Sequence, residues 1–444
     1  MNKKLSESFI NQNEPIKKAV EMLERTEKKT LFVINDQEQF IGLVNDGDIR
    51  RALLNGISEE NPIYRITNCS TITDVELAKA RIKKTDARYI VVPLLDKERR
   101  VVDCTVVTQK TETPFITTPH KFNRVLVIGG AGYLGSILCR KLLKKGYKVR
   151  VLDCLLYGDE GIRELYPYSS FEFTYGDMRN LKTLVNSIAD VDAVIHLAAI
   201  VGDPASALNP SETIQTNYLA TRMVAEVCRF SHINRLIFAS TCSVYGASKQ
   251  DELLYETSPL NPVSLYAQMK IKSEEALLEM KNNSFKPVIF RMATLHGKSP
   301  RQRFDLAVNI MTMKALFDHK ITVHGGTQYR AFCHVSDAAD AYIKCLETPL
   351  DTIKDTIYNI ASENLQILHV AKTIEHYIPD SSSEIVDIED KRNYIVSGKN
   401  ADTTFSLHHK FLIDDTVQSL IKDKEKFKDF ENKKYSNIKY LSES

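Results

Sequence analysis

Arg124-Val125-Leu126-Val127-Ile128-Gly129-Gly130-Ala131-Gly132-Tyr133-Leu134-Gly135 is the stretch whose reading decides the fold. Its first five residues, rich in β-branched side chains, favour a strand, and the glycines that follow break it into a turn. From Tyr133 to Lys145 the sequence is helical, with lysines gathering at its end. Strand, glycine turn and helix in this order form an anion site, because a helix N-terminus offers unpaired N–H groups and the positive end of the helix dipole. Gly129 makes the tight turn, Gly132 admits a pyrophosphate to the backbone, and Gly135 lets the helix pack closely, with Tyr133 and Leu134 beside the same ligand. A second strand, Tyr147-Lys148-Val149-Arg150-Val151-Leu152-Asp153, ends on an acid 18 residues beyond Gly135. A carboxylate there accepts both hydroxyls of an adenosine ribose and repels a 2′-phosphate, so the expected dinucleotide is NAD and not NADP.

A second constellation lies downstream. Leu236-Ile237-Phe238-Ala239 reads as a strand, which puts Thr241 of Ser240-Thr241-Cys242-Ser243-Val244-Tyr245-Gly246 at a strand's carboxyl end. Tyr266 to Met280 is helical in propensity, and Tyr266 and Lys270 stand at i and i+4 on one helix face. A phenol with an ordinary pKa of about 10 is a poor base at neutral pH. A lysine ammonium beside it favours the phenolate and is expected to lower that pKa. Thr241 then holds a substrate hydroxyl while Tyr266 takes its proton. Tyr-x-x-x-Lys also recurs by chance as a surface tyrosine and a solvated lysine. The upstream dinucleotide turn, which provides for a hydride acceptor, gives the pair chemical meaning.

The 444 residues exceed the usual size of one domain, so two or more are expected, each with its own core. A formal net charge of +2 with 26% charged residues gives no basis for a nucleic-acid or membrane surface. The eight cysteines include no C-x-x-C pair, so neither a zinc site nor a disulfide framework is indicated, and a reducing cytoplasm fits. The polar start, Met1-Asn2-Lys3-Lys4-Leu5-Ser6-Glu7, lacks a signal-peptide pattern, and no apolar run reaches transmembrane length. A soluble cytoplasmic protein without a metal site is expected.

The domain boundary is expected between Thr108 and Asn123, where Thr111-Glu112-Thr113-Pro114 and Thr117-Thr118-Pro119-His120 have linker chemistry. The resulting segments are 1–110, a linker at 111–122, a main domain at 123–425 and a polar tail or loose helix at 426–444. In the main domain, candidate strands at 124–129, 147–153, 171–175, 193–198, 234–240 and 287–292 alternate with helices. That pattern implies an α/β, Rossmann-type doubly wound parallel sheet, followed by a smaller and more irregular substrate-binding portion. Residues 1–110 differ. A helix from Ile16 to Arg25 leads to strands Thr30–Ile34 and Phe40–Val44, then Asn45-Asp46-Gly47-Asp48 and a helix from Ile49 to Leu54. A weaker echo runs through a helix at 74–84 and strands Tyr89–Leu95 and Val101–Val107, as in an internally repeated α+β module.

Residues 123 to about 425 resemble the extended short-chain dehydrogenase/reductases that act on nucleotide sugars: epimerases, dehydratases and dehydrogenases. The resemblance rests on Gly129-x-x-Gly132-x-x-Gly135, Asp153, Gly176-Asp177-Met178, His196-Leu197-Ala198-Ala199, Asn217, the Ser240 to Gly246 segment and Tyr266-x-x-x-Lys270. It implies that Asp177 and Met178 flank the adenine, Ala198 lines the NAD pocket, and Asn217, in the cofactor region, supports the active-site helix. It also implies a nucleoside-diphosphate sugar as substrate. Residues 1–110 resemble a pair of CBS repeats, modules that often bind AMP, ADP or ATP, with Gly42-Leu43-Val44-Asn45-Asp46-Gly47-Asp48-Ile49-Arg50-Arg51-Ala52-Leu53 as the good match. This resemblance implies that Asp48 accepts the ribose hydroxyls of such a nucleotide. Asn45 replaces the usual Ser or Thr, and the second repeat lacks the matching acid. A dimerisation module is the equal alternative, and a homodimer or higher homo-oligomer is expected.

In this family the shared first step is hydride transfer from a sugar carbon to NAD, with Tyr266 as the implied base. Cys242 and Ser243 stand where the sugar 4,6-dehydratases have Asp-Glu. Neither is a carboxylic acid, so 4,6-dehydration is not expected. An epimerase is, with a C4 dehydrogenase or reductase as the alternative; a mere NAD sensor conflicts with the intact Thr241, Tyr266 and Lys270. Cys242 and Ser243 border the substrate in this reading. Arg301, Arg303 and Asn309 in Ser299-Pro300-Arg301-Gln302-Arg303-Phe304-Asp305-Leu306-Ala307-Val308-Asn309, with Arg330 and Arg392, are the remaining substrate candidates. Guanidinium groups suit bidentate phosphate recognition. The resemblance implies that Arg330 and Arg392 meet the substrate diphosphate or its ribose, with Asn309 nearby. The Ser-Pro-Arg-x-Arg-Phe-Asp pattern resembles members acting on nucleotide-activated heptoses and related bacterial surface sugars.

Overall fold

The computed structural model describes residues 8–26, 30–54, 56–69, 71–74, 77–78, 89–108, 112–114, 123–248, 252–387 and 392–442. The chain forms two compact units, Met1–Lys121 and Phe122–Ser444.

Seven strands make the main sheet of the second unit: β1 Arg124–Ile128, β2 Lys148–Asp153, β3 Phe171–Tyr175, β4 Ala193–His196, β5 Leu236–Thr241, β6 Val288–Met292 and β7 Ile357–Ile360. Their order is β3-β2-β1-β4-β5-β6-β7 and every pairing is parallel. The direction of winding reverses between β1 and β4, and such a switch point leaves a crevice outside the carboxyl ends of the strands. Side chains along β1 alternate between two cores. Val125 and Val127 pack with Leu138 and Leu142 on one face, and Leu126 and Ile128 with Val224 and Ala225 on the other. All four β1 residues are at most 1% exposed, which is why the strand reads as an unbroken apolar run. Leu126→Ala would cost about 2–5 kcal/mol. The seventh strand, β7, lies outside the sequence-based set. It is four residues long, and buried Asn359 interrupts its apolar pattern while accepting the Tyr245 hydroxyl at 2.7 Å.

A smaller portion follows. Thr294–His296, Tyr329–His334 and Glu363–Gln366 form one sheet, and Lys320–His324 pairs with Ser382–Val386. The helices Ala307–Asp318, Ile367–Tyr377 and Ile413–Lys422 close a separate core around Ile321, Val323 and Phe332. The end of the chain departs from the expected tail. Lys424–Phe427 and Lys433–Tyr435 are short 3-10 turns and Asn437–Ser442 is a helix. Phe430, 6% exposed, packs with Phe304, Met313 and Leu420. The polar composition hides this, because Lys424, Lys426, Lys428, Lys433 and Lys434 face solvent while the aromatic residues between them turn inward.

In the first unit, Phe9–Asn11, Thr30–Ile34 and Phe40–Asn45 form one sheet, with the helices Ile16–Thr26 and Asp46–Leu54 packed on a core of Ile16, Leu31, Val33 and Ile49. Tyr89–Leu95, Val101–Thr108 and Glu112–Pro114 form another. The last of these falls in the expected linker, yet pairs with Val101–Thr108 as an edge strand, where proline is tolerated. Of the helix expected at 74–84, Asp74, Leu77 and Ala78 are described: Leu77 and Ala78 are helical, and Asp74 precedes them, accepting from the Leu77 nitrogen at 2.8 Å; linker residues 111 and 115–122 lie outside the described residues. No helix among the described residues is long and apolar enough to cross a membrane.

Candidate active site

A cavity of about 840 Å³ opens at the carboxyl ends of the strands, and the glycine turn, Asp153, Thr241, Tyr266 and Lys270 all line it. Gly129 leaves β1 at φ +85°, a conformation that penalises any side chain, and a Cβ on it would lie 2.6 Å from the Ala198 nitrogen. A Cβ on Gly135 would lie 2.4 Å from the Gly129 oxygen, so the turn and its helix interlock without room for a side chain. Gly132 starts the helix Tyr133–Lys144 with no side-chain cap, leaving N–H donors for a pyrophosphate. Asp153 accepts from the Ala131 nitrogen at 2.9 Å and the Leu155 nitrogen at 2.8 Å. Burial raises its pKa, against the pull of those two bonds and of Arg301. This donor and acceptor set fits an adenine dinucleotide. Leu134, Met178 and Ala198 line the same half of the cavity, and so does Asp177, whose carboxylate the Arg179 guanidinium holds below the ordinary range at 2.6 Å.

Asn217 is a correction. It is fully buried, and its side chain accepts from the Ile200 nitrogen at 2.8 Å and donates to the Ile200 oxygen at 2.9 Å. Its amide is therefore spent on backbone instead of on the cofactor. Its carbonyl accepts from Ser273 at 2.8 Å, which ties the segment after β4 to the helix bearing Tyr266.

Ser264 caps that helix, Leu265–Met280, by accepting from the Ala267 nitrogen at 3.2 Å. Tyr266 lines the cavity beside Thr241, whose side chain favours the phenolate. Lys270 donates to the Ala239 carbonyl at 2.6 Å and stands 5.8 Å from the centre of the Tyr266 ring. The electrostatics differ from the sequence-based expectation of a lowered phenol pKa. Burial, followed by the Asp203 carboxylate, raises Tyr266 well above its ordinary value, and Arg303 and Thr241 oppose this only in part. Burial also pulls Lys270 down to about 7, opposed by Glu274. Lys270 turns its nitrogen to a backbone carbonyl, and desolvation penalises the phenolate and the ammonium alike.

Thr241 and Ser243 line the cavity, with the Ser243 nitrogen donating to the Thr241 hydroxyl at 3.1 Å. Cys242 points away from it, contrary to expectation. It is fully buried, its thiol donates to the Arg291 carbonyl at 3.3 Å, and burial raises its pKa. Arg330 and Arg392 line the cavity's far end. Arg330 donates to the carbonyls of Tyr329 and Arg392 and lies 5.4 Å from the centre of the Tyr394 ring. Arg392 pairs with Asp203 at 3.0 Å, and Arg303 with Asp305 at 2.8 Å. Asn309 is a further correction: its amide donates to the Arg303 carbonyl at 2.9 Å and accepts from the Gly297 nitrogen at 3.0 Å, so it shapes this loop and does not line the cavity. Arg301 stacks on Tyr157, with 4.4 Å from the guanidinium carbon to the ring centre.

The profile of the NAD dependent epimerase/dehydratase family matches residues 125–361, and that of the CBS domain residues 3–55. The chain belongs to the NAD-dependent epimerase/dehydratase family. NAD is its cofactor. A UDP-glucose 4-epimerase of Lactobacillus helveticus is 29% identical over 273 residues, 56% of this chain and 81% of the relative. A UDP-glucose epimerase of Bacillus subtilis, itself uncharacterised, is 33% identical over 264 residues, 57% of this chain and 81% of the relative. The structure of a UDP-glucuronic acid 4-epimerase of Bacillus cereus with UDP-glucuronic acid and NAD matches with a TM-score of 0.59 at 26% identity, covering 72% of this chain and 99% of that one.

Within this family member, sequence reading passes over two cavity residues, Asp203 and Tyr394. Asp203 accepts from the Ser264 hydroxyl at 2.7 Å and pairs with Arg392, joining the cap of the catalytic helix to an arginine at the substrate end. Its only local signal is a helix start, Gly202-Asp203-Pro204. Tyr394 is buried beneath Arg330 and two residues from Arg392, which the sequence does flag.

Proposed function

We propose that this chain is an NAD-dependent UDP-sugar 4-epimerase working through a transient 4-keto sugar. The observation that carries the reading is the convergence of Thr241, Tyr266 and Lys270 on the cavity lined by the dinucleotide turn, with no carboxylic acid at the two positions after Thr241. Support for UDP comes from the relatives, which are UDP-sugar 4-epimerases by name, and from Arg330 and Arg392, whose guanidinium groups suit a diphosphate.

The Thr241 hydroxyl and Tyr266 phenol, which line the cavity together, present a matched pair to the C4 hydroxyl of the sugar. Tyr266 takes the hydroxyl proton as the C4–H bond breaks and the C4–O bond becomes a carbonyl. NAD, when held by Gly129 to Gly135 and Asp153, supplies the acceptor and later donor of the C4 hydride, and a positive charge that favours the phenolate. Tyr266 then gives its proton back to the C4 oxygen. Before that return the 4-keto sugar turns its other face toward the hydride, Thr241 meets the C4 oxygen in both orientations, and the product is a C4 epimer of unchanged mass.

The test is a mass-resolved chromatographic assay against UDP-, GDP-, CDP- and dTDP-sugars. A same-mass epimer from a UDP-sugar without net NADH is expected. Stoichiometric NADH would overturn the reading in favour of a C4 dehydrogenase.

We infer further that the CBS half takes an adenine nucleotide with Asp48. The family match supports this, as does the placement of Asp48 in the first turn of the helix Asp46–Leu54, where its carboxylate accepts from the Asn45 nitrogen at 3.0 Å and from Arg51 at 2.7 Å. AMP, ADP or ATP should raise the melting temperature of the wild type, and less so that of Asp48→Ala. No shift with any of the three would leave the dimerisation role.

A further inference from the structure

Arg301 is a buried cation with no counter-ion of its own. It is 4% exposed, and its Nε and one terminal nitrogen meet no acceptor. Of the carboxylates that act on it, Glu160 is exposed to solvent and Asp305 is committed elsewhere: to Arg303 at 2.8 Å and to the Asn437 nitrogen at 2.8 Å. Burial, followed by the like charge of Arg303, pulls the Arg301 pKa down to about 10. A guanidinium enclosed in this way is costly unless an anion joins it.

Its position puts it in the dinucleotide half of the cavity. Gly161 fits between Arg301 and the glycine turn, since a Cβ there would lie 2.4 Å from the Ala131 oxygen and 3.1 Å from Arg301 Cβ. Arg301 also acts on the charge of Asp153. Tyr157, in the segment just past Asp153, lies against one side of the guanidinium at 4.4 Å. Tyr440, from the helix Asn437–Ser442, meets Tyr157 edge-on with 5.5 Å between ring centres. The first residue of that helix is tied to Asp305, and its Ile438 and Leu441 line the cavity. The aromatic stack thus fixes the guanidinium from behind, and a planar fork held this way suits two phosphate oxygens.

We propose that Arg301 binds the diphosphate of the dinucleotide cofactor, opposite the N-terminus of the helix Tyr133–Lys144, and that the C-terminal helix positions it through Tyr440 and Tyr157. This replaces the sequence-based assignment of Arg301 to the sugar nucleotide, and it rests on the reading of this half of the cavity as the NAD site.

The test is calorimetric titration of the full chain with NAD, ADP, adenosine and UDP. Arg301→Ala should weaken NAD and ADP by about 10- to 100-fold, the size of one charge-assisted hydrogen bond or more, and leave adenosine and UDP unchanged. Arg301→Lys should weaken them less. Tyr440→Ala should weaken NAD and ADP several-fold, in the same pattern. Equal loss for adenosine would mean collapse of the site and overturn the proposal. Loss for UDP with NAD unaffected would place Arg301 on the substrate diphosphate and overturn it too, as would no change for any ligand. A wild-type chain that bound neither NAD nor ADP would instead sink the dinucleotide site itself, and the proposal with it.

Discussion

Glu274 accepts the hydroxyl of Ser240, the residue just before Thr241. The same helix face meets the end of β5 along its length: Lys270 donates to the Ala239 carbonyl, Glu274 accepts from Ser240, and Tyr266 lines the cavity beside Thr241. Steps of four residues on a helix of 3.6 residues per turn keep the three side chains in one row. The end of the strand and successive turns of the helix are thereby held together, and the placing of Tyr266 beside Thr241 rests on the contacts of Lys270 and Glu274.

Glu274 is also the counter-ion of Arg291. The two are 3% exposed, with 2.7 Å between Arg291 Nη2 and Glu274 Oε2, and Arg291 donates further to the Tyr245 hydroxyl and the Glu256 carbonyl at 3.0 Å each. Glu274→Gln leaves a buried guanidinium without its anion and is expected to cost about 3–5 kcal/mol. Glu274→Leu with Arg291→Met should cost less than the sum of the two single changes. Urea unfolding of Glu274→Gln, Glu274→Leu, Arg291→Met and the double variant checks both statements, and additive costs would show that the two side chains are not coupled.

Tyr266→Phe removes the proton acceptor while preserving the ring. The kcat for epimer formation should fall by about 10²–10⁴-fold, with KM for the sugar nucleotide little changed. Thr241→Val keeps the shape and loses the hydroxyl that steadies the C4 oxygen, so kcat should fall here as well, by a smaller factor. Retention of wild-type kcat in Tyr266→Phe would remove Tyr266 from the chemistry.

Lys270 ties stability to pH. Its folded value, about 7, lies below the ordinary 10.5. Between those two values the unfolded chain binds more protons than the native one, so this residue makes stability rise with pH across that window, with its full cost present below about pH 7. Lys270→Met removes the cost. It should be more stable than the wild type at about pH 6, and the difference should shrink by about 1.4 kcal/mol per pH unit between about pH 7 and 10. Denaturant titrations across that range provide the measurement. A difference independent of pH would mean that Lys270 is ionised in the fold as it is in water.

The parts of the site legible in the sequence are those whose geometry is local. Gly129 to Gly135 is a turn between a strand and a helix, Asp153 ends the next strand, and Tyr266 and Lys270 are one helical turn apart, so spacing alone places them. Cys242 is not legible in this way: β5 ends at Thr241, and the 3-10 turn Cys242–Tyr245 that follows sends the Cys242 thiol into the core. The partners of Asn217 and Asn309 are hidden from the sequence for another reason. An amide can serve a ligand or a backbone segment equally well, and only the tertiary fold brings Ile200 and Gly297 to them. The same holds for the stack of Arg301, Tyr157 and Tyr440, three residues from distant parts of the chain. β7 is hidden because Asn359 serves Tyr245 where a valine would have marked a strand.

Asp203 links the substrate arginine to the base. It pairs with Arg392 at 3.0 Å, and after burial its charge is the largest influence raising the Tyr266 pKa. A carboxylate near a phenol disfavours the phenolate, so neutralising it must shift the phenol downward. In Asp203→Asn, Arg392 also loses its anion, and any effect of the freed guanidinium on Tyr266 has the same sign. The rise of kcat/KM with pH, if it reports Tyr266 losing its proton, should therefore move to lower pH in Asp203→Asn, while the change weakens sugar-nucleotide binding by releasing Arg392 from its position. The two effects separate in a pH profile of kcat/KM recorded beside a titration with UDP. A pH profile that stays in place while UDP affinity falls would confine Asp203 to positioning Arg392, and a profile displaced to higher pH would contradict the electrostatic link.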